Sequence, residues 1–138
     1  MSGDYDDLVR QVEAQRDHYE TLVRIATGCY PDDADRTEWE WLADAYGAED
    51  LAEAGGDELA EFAQERLNED VLSIQGIWKG TSREDADYVG CEVAVCVGGP
   101  HVELDTVRLQ WVGHWGGDKV YRSAGAGVCA YFDEMVAQ

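Results

Sequence analysis

The sequence predicts an α+β fold in which N-terminal helices are followed by a four-stranded antiparallel meander and a C-terminal helix. Apolar residues recur every three or four positions through residues 4–70, and the period changes to two from residue 71. Consecutive short strands usually pair as neighbours, which favours the meander. The 138 residues are 45% hydrophobic, enough for one domain. We therefore expect a single domain, residues 1–138, with an acidic helical part over residues 1–70 and a sheet plus a helix over residues 71–138.

Three helices are expected in the acidic part. The first covers residues 4–27, and Gly28 is placed to end it. The second begins at Thr37 with a T-x-x-E capping box and ends at Gly47. The third covers residues 57–70, where the apolar residues again repeat at helical spacing.

The second part of the chain carries the strands. They are predicted at residues 72–78, 88–97, 101–105 and 107–115, and a last helix at residues 127–136. We read Asp105-Thr106 as a two-residue turn. That register places Glu103 opposite Arg108, which makes the two a cross-strand ion pair and not a site.

Alternation along the last two strands separates an apolar face from a polar one. The apolar face carries Val102, Leu104, Leu109, Trp111 and Trp115, and the polar face carries His101, Glu103, Arg108, Gln110 and His114. Two histidines and a carboxylate could bind a metal ion. In the expected register, however, His101 lies opposite Gln110, and His114 is two residue pairs away. We therefore predict no metal site and no cofactor, and we expect His18 on the surface of the first helix.

The sequence does not contain the residue patterns that several other classes of function require. No serine lies in a G-x-S-x-G turn and no cysteine is close to a histidine in sequence, so no catalytic residue is predicted. The cysteines at positions 29, 91, 96 and 129 are expected as reduced core residues. Ten Lys and Arg residues spread along the chain cannot form a nucleic-acid footprint. Without a membrane span or a signal peptide, we expect the protein in the cytoplasm of a host cell.

The charge distribution is the strongest indication of function. Residues 1–70 contain 21 Asp and Glu against 5 Arg, so they carry −16 of the net charge of −20. Four glutamates of the third helix follow one another at i+3 or i+4, and each neighbouring pair costs about 0.2–0.5 kcal/mol. Trp39 and Trp41 lie about 200° apart on a helix, so one is expected to face outward as an anchor. The predicted partner-binding residues are Asp32, Asp33, Asp35, Trp39, Trp41, Glu58, Glu61, Glu65 and Glu69.

A partial resemblance adds to this prediction. The segments Glu65-Arg66-Leu67-Asn68-Glu69-Asp70, Cys91-Glu92-Val93, Gly98-Gly99-Pro100 and Arg108-Leu109-Gln110-Trp111 resemble a pattern in small phage and prophage proteins, over residues 65–122. As a class, a small acidic phage protein with helices and a sheet resembles the anti-CRISPR and antirestriction inhibitors. Many of these present carboxylates where a host nuclease expects phosphates.

The charge distribution, supported by this resemblance, predicts a stoichiometric inhibitor whose acidic, DNA-mimicking surface in residues 1–70 binds a basic protein of a host CRISPR or restriction complex. Three alternatives stay open: an immunity protein or antitoxin that caps a basic toxin nuclease, an adaptation to high salt, and a small enzyme. Halophilic acidity would be spread over both halves of the chain, whereas here it is concentrated in the first. The oligomeric state is open.

Overall fold

The computed structural model describes residues 2–28, 37–47, 56–97 and 100–137. They form the helices α1 (Ser2–Ala26), α2 (Thr37–Tyr46), α3 (Gly56–Asp70) and α4 (Ala126–Ala137), and the strands β1 (Ser73–Lys79), β2 (Asp87–Cys96), β3 (His101–Asp105), β4 (Gln110–Trp115) and β5 (Asp118–Ser123). All strand pairs are antiparallel, and the sheet order is β1-β2-β3-β4-β5. The α+β class and the meander are confirmed.

Glycines end two of the helices, as the sequence predicts. Gly28 has a φ of 76° and Gly47 a φ of 68°, in the left-handed region that favours glycine after the last helical turn. The amide of Gly47 donates to the carbonyl of Ala43 at 2.8 Å and so satisfies one free carbonyl at the end of α2.

The helices α1 and α4 cover one face of the sheet. α1 packs across β3, β4 and β5, α4 packs on β1 and β2, and the two helices contact each other. Gly113 in β4 permits this approach, because a Cβ atom there would overlap Val12 Cγ2 and lie 3.0 Å from Leu8 Cδ1. α3 packs on α1, so α1 lies at the centre of the core.

The apolar sheet face is predicted only in part. Val102, Leu104 and Trp111 are fully buried, as expected from strand alternation. Leu109 is 50% exposed and its placement on this face is wrong, whereas Trp115 lies on the expected face beside residues of α1, with 38% of its surface exposed. Leu109 belongs to a turn, where the period of two does not apply, and Trp115 is the last residue of β4.

A fifth strand, β5, corrects the prediction of four. The alternation of apolar and polar residues does not predict this strand, because Val120 is its only buried residue and its exposed positions are polar or tyrosine. The glycines at 116 and 117 connect it to β4 as a two-residue turn that places Trp115 opposite Asp118. Gly116 has a φ of 63°, which explains the glycine at that position.

The turn between β3 and β4 corrects the predicted register. It spans residues 106–109, and β4 begins at Gln110, directly opposite Asp105. Asp105 Oδ1 accepts hydrogen bonds from the backbone amides of Val107 at 3.0 Å and Arg108 at 3.2 Å, which stabilises the longer turn. Arg108 therefore pairs with Asp105, at 3.0 Å, and the expected ion pair with Glu103 is wrong.

Candidate protein-binding surface

The row of glutamates on α3 faces solvent. The row consists of Glu58, Glu61, Glu65 and Glu69, all of them exposed. The buried residues of the same helix are Leu59, Ala63 and Leu67. At 100° per residue the four glutamates fall within an arc of about 80°, on the side away from these buried residues. Arg66, which pairs with Glu69, is the only basic residue in α3.

Part of the acidic charge has a structural role instead. Glu13 of α1 forms an ion pair with Arg122 of β5 at 3.0 Å. Glu20, about two turns further along, accepts a hydrogen bond from the buried indole of Trp111 at 2.8 Å. These carboxylates join α1 to the sheet. Among the side chains of α1 and α2 that the structure describes, the exposed carboxylates are Asp6, Asp7, Asp17, Glu40 and Asp44.

The other predicted contact residues are less fully described. Asp32, Asp33 and Asp35 lie outside the described residues, as does the side chain of Trp39. Trp41 is half-buried and packs against the core cluster, with its remaining surface at the junction of α1 and α2.

A hydrogen-bonded chain joins the three N-terminal helices. The hydroxyl of Tyr46 in α2 donates to Asp70 Oδ2 in α3 at 2.9 Å, and it lies 2.7 Å from His18 Nε2 in α1. Because the hydroxyl has one proton and gives it to Asp70, Nε2 of His18 is the donor in the second bond. Burial lowers the pKa of His18, against the opposing effect of the Asp70 charge. His18 is therefore a half-buried linking residue, and the expectation of a surface position is wrong.

A depression that we call the α1–α2 notch lies beside this chain. It has a volume of about 370 Å³. His18 and Trp41 line it with their rings, whose centroids are 5.2 Å apart. The exposed carboxylates Asp17 of α1 and Asp44 of α2 also line it, one from each helix. The notch thus combines aromatic surface with two acidic groups.

The face of the sheet opposite α1 and α4 brings the remaining histidines together. His101 pairs directly with His114 across β3 and β4, so the expectation that it faces Gln110 is wrong. Glu103 Oε2 lies 3.2 Å from His101 Nε2, and Glu103 Oε1 lies 4.0 Å from His114 Nε2. Within the described ranges, no group of three or more histidine, cysteine or acidic side chains has a geometry that could hold a metal ion.

The described cysteines belong to the interior. Cys91 and Cys129 are buried and Cys96 is partly buried, and all three are free thiols. Burial raises the pKa of the Cys129 thiol to about 11 and also raises that of Cys91, which keeps both protonated near neutral pH. The expectation of core cysteines is confirmed for these two, while Cys29 lies outside the described residues.

Comparisons with known proteins found no matching family model, no matching curated protein and no matching solved structure. Among the helices described, none has the length and apolar character needed to cross a membrane.

Proposed function

We propose that this protein is a stoichiometric inhibitor that occupies the basic nucleic-acid-binding groove of another protein. The observation that carries the proposal is the solvent-facing glutamate row of α3, which lies away from the core and has one basic neighbour. A row of like charges destabilises an isolated helix, and a cationic partner relieves that repulsion. The partner class we propose is a basic protein of a host CRISPR or restriction complex, reached in the cytoplasm.

The dimensions of the row suit such a groove. Glu69 lies 11 positions after Glu58, so at about 1.5 Å per residue the row is about 16 Å long. Successive carboxylates are about 6 Å apart along the helix axis. A groove that neutralises phosphates places Lys and Arg side chains at comparable intervals along its length. Exposed carboxylates on α1 and α2 add to the negative charge of the helical part. The resulting field would accelerate association and make it sensitive to salt.

The test begins with a pull-down from host lysate at low and at high salt, followed by purification of the protein that elutes. Its affinity for the wild-type chain is then compared with that of a variant carrying Glu58→Lys, Glu61→Lys and Glu65→Lys. Loss or reversal of three exposed charge pairs costs about 0.5–1 kcal/mol each, which corresponds to an affinity about 10- to 100-fold lower. The salt dependence should weaken in parallel.

A matched control carries the same change in charge elsewhere. Glu84, Asp118 and Glu134 are exposed residues outside the acidic helices, and their replacement by Lys also raises the net charge by six. This control should retain most of the affinity, and the wild-type chain should compete with nucleic acid for the partner. Equal affinities and equal salt dependence for the two triple variants would contradict the proposal, as would an eluted protein that binds no nucleic acid.

A further inference from the structure

We propose that the α1–α2 notch binds the guanidinium group of an arginine side chain from the partner protein. The glutamate row supplies long-range attraction, whereas the notch supplies a defined position for one basic side chain. The inference rests on the proposed function for the identity of the partner, since a nucleic-acid-binding groove is rich in arginine. The affinity of the notch for the guanidinium group is a property of this chain alone.

The first support is the pair of carboxylates on the two sides of the notch. Asp17 belongs to α1 and Asp44 to α2, and both are exposed. Arg16 contacts Asp17 Oδ1 at 2.9 Å, a surface pair between chain neighbours. Asp44 has no ion pair with any side chain in the described part of the molecule. A guanidinium group has five donors in a plane and can bond to more than one carboxylate at once.

The second support is the aromatic part of the lining of the notch. Trp41 is held in place by packing against His18, at 5.2 Å between ring centroids, and against Tyr46, at 6.4 Å. A guanidinium group stacks on an indole face with a favourable cation–π contribution, and it is more weakly hydrated than an ammonium group. A lining that combines an indole ring with two carboxylates therefore favours arginine over lysine.

The third support is the charge state of His18. Its pKa is lowered by burial, so the imidazole is neutral near pH 7 and does not repel a cation. The hydrogen bonds from His18 to Tyr46 and from Tyr46 to Asp70 fix the ring in position. These bonds and the contact with Trp41 order the two rings before a ligand arrives, which lowers the entropic cost of binding.

The experiment uses the isolated full-length protein and a blocked tripeptide, acetyl-Gly-Arg-Gly-amide. Binding is followed by the indole N–H resonance of Trp41 in two-dimensional NMR, assigned with Trp41→Phe. The citrulline tripeptide is the control ligand, because it has nearly the same shape without the charge. We expect saturable binding of the arginine peptide in the millimolar range, at least 10-fold weaker binding of the citrulline peptide, and weaker binding of the lysine peptide.

Variants at exposed positions separate the notch from general charge attraction. Asp44→Asn should weaken arginine binding about 3- to 10-fold, whereas Glu61→Gln, which removes the same charge from the glutamate row, should leave it unchanged. Equal shifts with the arginine and citrulline peptides, equal binding of lysine and arginine, or equal losses in the two variants would overturn the inference. Because no partner is present, these results contradict the notch alone, whereas the triple reversals on α3 test the proposed function alone.

Discussion

Replacing Gly113 by alanine should destabilise the protein by forcing α1 away from the sheet. The new Cβ atom would overlap Val12 Cγ2 and lie 3.0 Å from Leu8 Cδ1. Both side chains are fully buried, and a valine within a helix has essentially one χ1 rotamer, so Val12 cannot turn aside. The clash can be relieved only by moving the helix or the strand.

The expected cost follows from this overlap. One extra methyl group in a closely packed core costs about 1–3 kcal/mol, and the loss of glycine entropy in the unfolded chain returns about 0.4–1 kcal/mol. A net loss of about 1–2 kcal/mol lowers the urea midpoint by about 0.5–1 M at a slope of about 2 kcal/mol/M. Gly117→Ala is the control, because a Cβ atom there meets nothing within 4 Å.

Urea unfolding followed by tryptophan fluorescence and by circular dichroism measures both variants. Gly113→Ala should unfold at lower urea with an unchanged slope, whereas Gly117→Ala should unfold at the wild-type midpoint or slightly above it. Identical midpoints for the two alanine variants would refute the packing of α1 against β4. Identical midpoints would also contradict the assignment of the two paired histidines to the face of the sheet that the described helices leave uncovered, since that assignment depends on α1 packing on the other face.

Two further predictions concern the polar networks. Asp133 of α4 accepts hydrogen bonds from the hydroxyls of Tyr88 and Thr106, both at 2.7 Å, so Asp133→Ala should cost about 2–4 kcal/mol of unfolding free energy in urea titrations. Asp133→Asn keeps an acceptor oxygen and should cost clearly less; an equal cost would contradict the hydrogen-bonding role. Because burial holds the pKa of His18 in the folded protein below its ordinary value of 6.5, the unfolded chain binds the proton more readily, and stability is lost as the pH falls below about 6.5. The free energy of unfolding of the wild type should therefore fall more between pH 7.5 and 5.5 than that of His18→Gln. His114→Gln is the control and should behave like the wild type. Parallel curves of unfolding free energy against pH for all three proteins would contradict a buried, neutral His18.

Local patterns in the sequence determined the helices and the outward direction of the glutamate row. Helical periodicity and the glycines that follow α1 and α2 depend only on residues a few positions apart, and they place these helices within two residues of their observed bounds. The exposure of the α3 glutamates follows from the same rule, because one apolar stripe defines the opposite polar face. Strand alternation likewise identified Val102, Leu104 and Trp111 as buried.

Contacts between distant residues were decided only by the tertiary structure. The pairing of His101 with His114 depends on a four-residue turn stabilised by the Asp105 carboxylate, and a shift of register changes every cross-strand partner. The chain from His18 through Tyr46 to Asp70 joins residues 28 and 24 positions apart, and it forms where three helices meet. The α1–α2 notch has the same origin, since no local pattern specifies which side chains two packed helices leave uncovered between them.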